Sequence, residues 1–258
     1  MGKIISIHSF RGGTGKSNTT ANLAAQAALQ GHRVAVVDTD IQSPGIHVLF
    51  GLDEAKMGRT LNEYLRSECS IQEVAHSIGE GKTGGPGVRQ LAGKLLWLIP
   101  SSISGAEIGR ILRDGYDVGL LNRGLNSLTK EMKLDYLFID THPGLNEETL
   151  LSIAISDILI IILRPDQQDF QGTAVTVEIA RSLDVPALYL VVNKALSRYD
   201  FNQMRETIQK TYNAPVAGIL PLTEDMADLG SADIFSLCNP DHPWSQTLRG
   251  IAQTILAA

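Results

Sequence analysis

The feature that most limits how this chain can fold is a glycine-rich loop between an apolar stretch and an amphipathic one. The loop reads Gly12-Gly13-Thr14-Gly15-Lys16-Ser17, and the apolar segment 3–9 leads directly into it. Glycines let successive backbone N–H groups point at one anion, and the helix that follows adds the positive end of its dipole. In such a loop Lys16 would reach the β- and γ-phosphates, and the Ser17 hydroxyl would ligate Mg²⁺. The pattern therefore predicts a phosphate-binding loop.

The rest of the chain alternates between short apolar runs rich in β-branched residues and amphipathic segments. This alternation is typical of βα units around a mainly parallel sheet. A length of 258 residues suits one such domain. We predict a single-domain α/β fold over residues 1–258, a doubly wound, mainly parallel sheet of the P-loop NTPase class. The predicted strands are 3–9, 33–38, 95–99, 136–140, 158–163, 187–193 and 216–220, and the clearest helices are 17–30, 105–128, 172–182 and 201–212.

A second glycine-rich stretch, residues 79–87, superficially resembles another phosphate loop. No apolar strand leads into it and no helix follows it directly. Phosphate binding by such a loop requires that strand–loop–helix context. We therefore expect residues 79–87 to form a mobile surface loop.

Aspartates follow two of the predicted strands. One strand ends in Asp38-Thr39-Asp40, and another ends in Asp140, before His142 and Gly144. Ligands of open α/β sheets bind at the carboxyl ends of strands, which favours a functional role over a simple helix cap. Residues 137–144 resemble a Walker B strand followed by a switch II loop, in which Asp140 would hold Mg²⁺ through water and Gly144 would let the loop move. His142 is expected to be an ordinary loop residue.

Read from Arg11, the glycine loop resembles the deviant Walker A sequence KGGxGK[ST] of the ParA/MinD ATPases, with arginine at the first lysine position. The resemblance extends over most of the chain and implies a weakly active Mg²⁺-dependent ATPase that forms a homodimer in its ATP state. It also implies that Asp40 positions the attacking water, that Asp38 supports the Mg²⁺ shell, and that Asp140 belongs to a Walker B strand.

The family's first lysine crosses the dimer interface to the partner's nucleotide. Arginine is also cationic and grips phosphate in a bidentate manner, so Arg11 is expected to substitute for it. The alternative is that Arg11 stays within its own subunit and another lysine takes this role. The exchange of the signature lysine is similar to that in the carboxysome-positioning subgroup.

The base site is predicted further along the chain. Asn193 ends the run LYLVVN, where the family places an asparagine that hydrogen-bonds adenine, although an asparagine turn is equally compatible. Residues 218–221 resemble the family segment that borders the base. Leu196 occupies the position where a guanine-binding NKxD motif needs aspartate, which favours ATP. The predicted nucleotide-binding residues are Gly12, Gly13, Thr14, Gly15, Lys16, Ser17, Asn18, Asn193, Pro221 and Leu222; the predicted catalytic residues are Lys16, Asp40 and Arg11; the predicted metal ligands are Ser17, Asp38 and Asp140.

Members of this family position cargo or cell-division machinery by binding DNA or membranes. The segment 245–258 has helical apolar spacing, but Arg249 is its only charge. Interfacial anchor helices need a polar face rich in lysine and arginine, so we expect a core helix and favour non-specific DNA over membrane. The resemblance further implies a small adaptor protein on the cargo and a cytoplasmic, nucleoid-associated location. The candidate DNA contacts are Arg198, Arg205, Lys210, Arg110, Arg113, Arg123, Lys130 and Lys133. Acidic residues in the same regions also fit the alternative that these are ordinary solvated helix faces.

Three other functions remain compatible with the sequence. One is a membrane-associated positioning ATPase, and another is a nucleotide-gated regulator with little turnover. The third is a metabolic relative such as an amidoligase or an iron–sulfur carrier. Carriers need paired interface cysteines, whereas Cys69 and Cys238 are far apart in sequence and lie outside the predicted switch loops.

Overall fold

The computed structural model describes residues 2–81 and 83–258 and contains an eight-stranded sheet. Its order is β3-β4-β2-β5-β1-β6-β7-β8, and only the β3–β4 pair is antiparallel. The strands are β1 Lys3–His8, β2 Val34–Asp38, β3 His76–Ser77, β4 Leu96–Ile99, β5 Tyr136–Asp140, β6 Ile158–Leu163, β7 Ala187–Ala195 and β8 Val216–Pro221. The predicted mainly parallel α/β fold and its seven strands are confirmed. The sequence did not predict β3, because two residues are too few to show alternation.

Helices cover both faces of the sheet. They are α1 Lys16–Leu29, α2 Ile46–Leu49, α3 Leu61–Leu65, α4 Gly105–Asp114, α5 Val118–Glu131, α6 Glu147–Ala154, α7 Gln167–Ser182, α8 Phe201–Tyr212, α9 Glu224–Asp228, α10 Phe235–Cys238 and α11 Pro243–Leu256, with short 3₁₀ helices at Gln72–Val74 and Val88–Leu91. The predicted helix 105–128 is two helices, because Gly115 turns the chain at φ +68° and the Asp117 side chain caps α5. Within the described chain, no helix is long and apolar enough to cross a membrane.

Alternating residues of the central strands pack into different cores. In β2, Val34 and Val36 join the core beneath α1 and α11, whereas Ala35 and Val37 join the core beneath α5. This two-sided burial is the physical basis of a doubly wound sheet. Helix α11 buries Trp244, Leu248, Ile251 and Ile255, each with no more than 1% of its surface exposed. The prediction of a core helix at the end of the sequence is therefore confirmed.

The glycine-rich segment near residues 79–87 packs against neighbouring loops, and Lys82 lies outside the described residues. The backbone N–H groups of Gly87 and Val88 donate to the two carboxylate oxygens of Asp233 at 2.7 and 2.9 Å. A Cβ atom on Gly51 would lie 2.2 Å from the Cα of Gly84, so the two backbones touch. The predicted surface loop therefore contacts its neighbours at positions where glycine permits a close approach of the backbone.

Candidate nucleotide-binding site

The loop between β1 and α1 has the backbone that phosphate binding requires. Gly13 and Gly15 have φ values of +77° and +90°, which side chains with a Cβ rarely adopt. A Cβ on Gly15 would also lie 2.3 Å from Nδ2 of Asn193. Two independent constraints therefore require glycine at position 15, and α1 begins directly after it.

The lysine of the loop lies against the end of β5. Lys16 Nζ donates to Asp140 Oδ1 at 2.8 Å, and the two side chains are only 7% and 1% exposed. The Thr20 hydroxyl donates to the same oxygen at 3.3 Å. A buried charge pair of this kind is sustained by such additional hydrogen bonds. The pairing places the cation predicted to bind phosphate beside the predicted Walker B carboxylate.

Asp38 is buried behind the loop that follows β2. Its Oδ1 accepts a hydrogen bond from the backbone N–H of Asp40 at 3.0 Å, and its Oδ2 accepts one from Gly45 at 3.1 Å. Burial raises the pKa of Asp38 well above its ordinary value; the nearby charge of Asp140 adds to this effect and Lys16 opposes it. Asp38 is not among the residues that line the cavity at the glycine loop, and its contacts are those of a residue that shapes the loop after β2.

Two cavities meet at the glycine loop. One, here called the phosphate cavity, has a volume of about 270 Å³ and is lined by Ser9, Gly12, Gly13, Thr14, Gly15, Lys16, Ser17, Asn18, Asp40, Ser43 and Pro143. The other, the base cavity, has a volume of about 230 Å³ and is lined by Gly15, Asn18, Asn193, Lys194, Pro221, Leu222, Thr223, Met226, Ala227 and Trp244. Gly15 and Asn18 belong to both linings, so the cavities form one continuous depression.

The base cavity brings together the residues predicted to flank adenine. Asn193 Nδ2 donates to the Thr14 carbonyl oxygen at 2.8 Å, and Asn193 Oδ1 accepts from the Lys194 N–H at 2.9 Å. The Asn193 amide thus stabilises the glycine loop as well as lining the cavity. Five further residues of this lining were not predicted from the sequence: Lys194, Thr223, Met226, Ala227 and Trp244.

Arg11 contacts acidic residues of its own chain. Its Nη1 lies 3.8 Å from Asp169 Oδ1 and 4.0 Å from Asp166 Oδ1, and its side chain is 40% exposed. Arg164 contacts the same two carboxylates at 3.0 and 3.2 Å. In this structure Arg11 therefore points toward the start of α7, and a contact with a partner's nucleotide would require it to leave these carboxylates.

The protein oxygens around the phosphate cavity suit Mg²⁺. Ser17 and Asp40 line the cavity, and Asp140 lies beside Lys16. Hydroxyl and carboxylate oxygens are hard ligands, and nucleotide-bound Mg²⁺ takes only one or two of them, with phosphates and water completing its shell. Over residues 2–81 and 83–258 there is no cluster of three or more His, Cys, Asp or Glu residues that could hold a metal by itself. The donor set fits a nucleotide-associated ion.

His142, which the sequence predicted to be an ordinary loop residue, contacts Asp40. His142, in the loop after β5, lies with its Nδ1 2.6 Å from Asp40 Oδ1. The Ser43 N–H and hydroxyl donate to the same oxygen at 3.1 and 3.0 Å. The sequence offered no spacing that joins residues 40 and 142, because the contact depends on β2 and β5 being neighbours.

Comparison with known proteins shows the family to which this chain belongs and the solved structures that share its fold. A family model described as the CobQ/CobB/MinD/ParA nucleotide-binding domain matches residues 5–236. The flagellum site-determining protein of Helicobacter pylori is 30% identical over 193 residues, which cover 74% of this chain and 58% of that protein. An iron–sulfur cluster carrier protein of Rickettsia conorii is 26% identical over 237 residues, covering 88% of this chain and 63% of that protein.

Among solved structures, the septum site-determining protein MinD of Pyrococcus horikoshii, complexed with Mg-ADP, superimposes with a TM-score of 0.81. The two sequences are 20% identical, and the match covers 99% of this chain and 96% of that one. At this identity the similarity establishes a common fold.

Proposed function

Because this chain belongs to the CobQ/CobB/MinD/ParA nucleotide-binding family, we propose that it is a Mg²⁺-dependent ATPase that dimerises with ATP and positions a cellular cargo. The observation that best supports this proposal is the continuity of the phosphate and base cavities at Gly15 and Asn18. A mononucleotide needs one polar compartment for its phosphates and one apolar compartment for its base. The MinD structure with Mg-ADP shows that this fold holds such a ligand.

The proposed roles follow from where the side chains lie. Lys16 exchanges its contact with Asp140 for the β- and γ-phosphates, and the loop N–H groups bind the remaining phosphate oxygens. Asp40 lines the phosphate cavity and orients the attacking water. Mg²⁺, held by Ser17 and Asp140 with Asp38 supporting the loop, would neutralise phosphate charge when bound. Positioning and charge stabilisation are the main requirements of phosphoryl transfer.

The proposed dimer brings two glycine loops face to face. Arg11 is 40% exposed, so it is accessible to a second subunit once it leaves Asp166 and Asp169. Its partial exposure means that these ion pairs contribute little, on the order of 0–1 kcal/mol. A bidentate contact with a phosphate would be stronger, which favours the exchange. The alternative role for Arg11, within its own subunit, has the observed contacts in its favour.

Cargo positioning is proposed by analogy with relatives. We favour non-specific DNA over membrane as the surface to which the ATP-bound dimer binds. The Helicobacter relative is named for determining the flagellum site, and the Pyrococcus structure for determining the septum site. Of the candidate DNA contacts, Arg123 pairs with Asp117, and Arg205 donates to the Val216 carbonyl. Lys130 and Lys133, in contrast, line a cavity of about 490 Å³ together with Lys3. We propose that this lysine group contributes to non-specific DNA binding.

Iron–sulfur carriage is the second candidate, because a carrier protein is among the relatives. The two thiols argue against it. Burial raises the pKa of Cys69, and burial together with Asp233 raises the pKa of Cys238 to about 11. Cluster ligation requires thiolates, which a raised pKa disfavours. A protein reconstituted with iron and sulfide should therefore show no cluster absorbance; absorbance lost in Cys69→Ser would instead support the carrier function.

The principal test compares the wild type with Asp40→Ala. We expect the variant to bind ATP normally, hydrolyse it more slowly by on the order of 100-fold or more, and accumulate as a dimer on gel filtration with ATP and Mg²⁺. Hydrolysis ends the ATP state, so slower hydrolysis prolongs the dimer. The matched control is Asp53→Ala, an exposed carboxylate paired with Lys56. Normal turnover, or loss of both ATP affinity and dimer, would contradict the proposed role.

The DNA proposal is tested with a non-specific duplex. Binding should require ATP and weaken steeply with salt, because each phosphate contact releases counterions. The double variant Lys130→Gln/Lys133→Gln should bind more weakly and reduce the slope of log affinity against log salt by about 2 per subunit. Lys56→Gln, at an exposed lysine already paired with Asp53, is the control. Pelleting with anionic liposomes in place of DNA would support the membrane alternative.

A further inference from the structure

The carboxylate of Asp40 is held by a residue from a different loop. His142 Nδ1 and Asp40 Oδ1 are 2.6 Å apart, and the two side chains are only 22% and 12% exposed. Asp40 belongs to the loop after β2 and His142 to the loop after β5, 102 residues later. A short hydrogen bond shielded from water is stronger than an exposed one. The contact therefore joins the two loops that border the phosphate cavity.

All three hydrogen bonds to this carboxylate end on one oxygen. Asp40 Oδ1 accepts from His142 and from both the N–H and the hydroxyl of Ser43. Among the described residues no hydrogen bond reaches Oδ2, while Asp40 lines the phosphate cavity. An ionised carboxylate only accepts hydrogen bonds, so Nδ1 of His142 must carry a hydrogen. This arrangement fixes the carboxylate and leaves one of its oxygens to accept from another donor.

His142 and Ser43 do not contribute equally to this arrangement. Ser43 lies three residues from Asp40, and its two contacts form a local turn that moves with the loop. Within residues 2–81 and 83–258, His142 is the one hydrogen-bond partner of this carboxylate that lies outside the loop after β2. Without it, Asp40 could rotate or shift together with its own loop. Small displacements of a water-orienting group are costly for catalysis.

We propose that His142 is a positioning residue, which sets the Asp40 carboxylate in the orientation required for ATP hydrolysis. This inference rests on the proposed ATPase function and adds a residue to it. His142 itself does not line the phosphate cavity, so its effect is exerted through Asp40.

Two near-isosteric substitutions distinguish positioning from general loop support. The side-chain amide nitrogen of asparagine reaches the position of Nδ1 in histidine, whereas that of glutamine reaches the position of Nε2. His142→Asn can therefore still donate to Asp40 Oδ1, and His142→Gln and His142→Ala cannot do so in the same geometry. If His142 only fills space in the loop, kcat should depend on side-chain size, and His142→Gln should be closer to wild type than His142→Asn.

The experiment measures kcat, ATP affinity by calorimetry, and thermal stability for these variants and for Asp40→Ala. Losing a charge-assisted hydrogen bond should lower kcat about 10- to 100-fold in His142→Ala and His142→Gln, with ATP affinity unchanged. The kcat of His142→Asn should stay within about 3-fold of the wild-type value, because this variant keeps the hydrogen bond. The double variant His142→Ala/Asp40→Ala should be no slower than Asp40→Ala, because the two residues act as a unit.

A nucleotide-free measurement tests the contact itself. In ¹⁵N-labelled protein the imidazole of His142 should have a protonated Nδ1, and Asp40→Ala should change its nitrogen shifts. A normal kcat in His142→Ala, an asparagine variant as slow as the alanine variant, or additive losses in the double variant would overturn the inference. If Asp40→Ala hydrolysed ATP normally, or if the wild type showed no hydrolysis, the proposed function would fail together with this inference.

Discussion

Glu148, in the first turn of α6, is a partly buried acid close to Asp40. One of its carboxyl oxygens is buried and forms no hydrogen bond within the described structure. Burial, opposed by the Tyr116 hydroxyl and aided by the charge of Asp40, raises the pKa of Glu148 from 4.5 to about 7. An acid in this position destabilises the folded chain once it must ionise. We therefore expect Glu148→Gln to stabilise the protein at alkaline pH.

The sign and size of the effect follow from proton linkage. Because the folded pKa is raised, the stability associated with the proton is fully present below about pH 4.5 and is lost as pH rises to about 7. The shift corresponds to about 3 kcal/mol at 1.36 kcal/mol per pKa unit. Glutamine keeps the shape without ionising. The stability gain of the variant should therefore grow by about 2–3 kcal/mol between about pH 5 and about pH 8.

The assay is equilibrium urea unfolding of wild type and variant at both pH values, with reversibility checked at each. Glu147→Gln is the matched control, since Glu147 lies in the same helical turn and is exposed. At about pH 8 both substitutions remove a negative charge near the start of α6, worth about 0.3–1 kcal/mol, so this loss cancels when the two variants are compared at that pH. A pH-independent difference, or a Glu148→Gln protein less stable at the higher pH, would refute the reasoning.

Four further outcomes are expected. Lys16→Ala should abolish nucleotide binding, and unchanged ATP affinity by calorimetry would contradict the phosphate-loop assignment. Arg11→Ala should retain ADP binding but weaken ATP-driven dimerisation on gel filtration; normal dimerisation would transfer the cross-interface role to another residue. Gly15→Ala should lose nucleotide affinity, because its Cβ would lie 2.3 Å from Asn193 Nδ2, and normal binding would show that the loop can adjust. Asp233→Ala should lower the free energy of urea unfolding by about 2–4 kcal/mol, because the backbone N–H groups of Gly87, Val88 and Ile234 lose this acceptor, and an unchanged midpoint would exclude this contribution.

Much of the fold could be predicted from the sequence, because it depends on local patterns. Buried parallel strands require continuous apolar runs, so β5 and β6 were identified to the residue. The glycine loop was also evident, since positive φ values at Gly13 and Gly15 exclude most other residues. Local patterns failed where an element was short, as in β3, or where a turn interrupted helical periodicity, as at Gly115.

The sequence by itself thus determined the class of sheet, the phosphate loop and the aspartates at the ends of the strands. Only the tertiary structure decided which side chains meet there. His142 contacts Asp40 because β5 lies beside β2, and Trp244 joins the base cavity because α11 packs beside β8. Residue type and spacing predict structure over short stretches of the chain. These contacts join residues far apart in sequence, and they depend on the order of the strands in the sheet, which is set by the packing of the whole core.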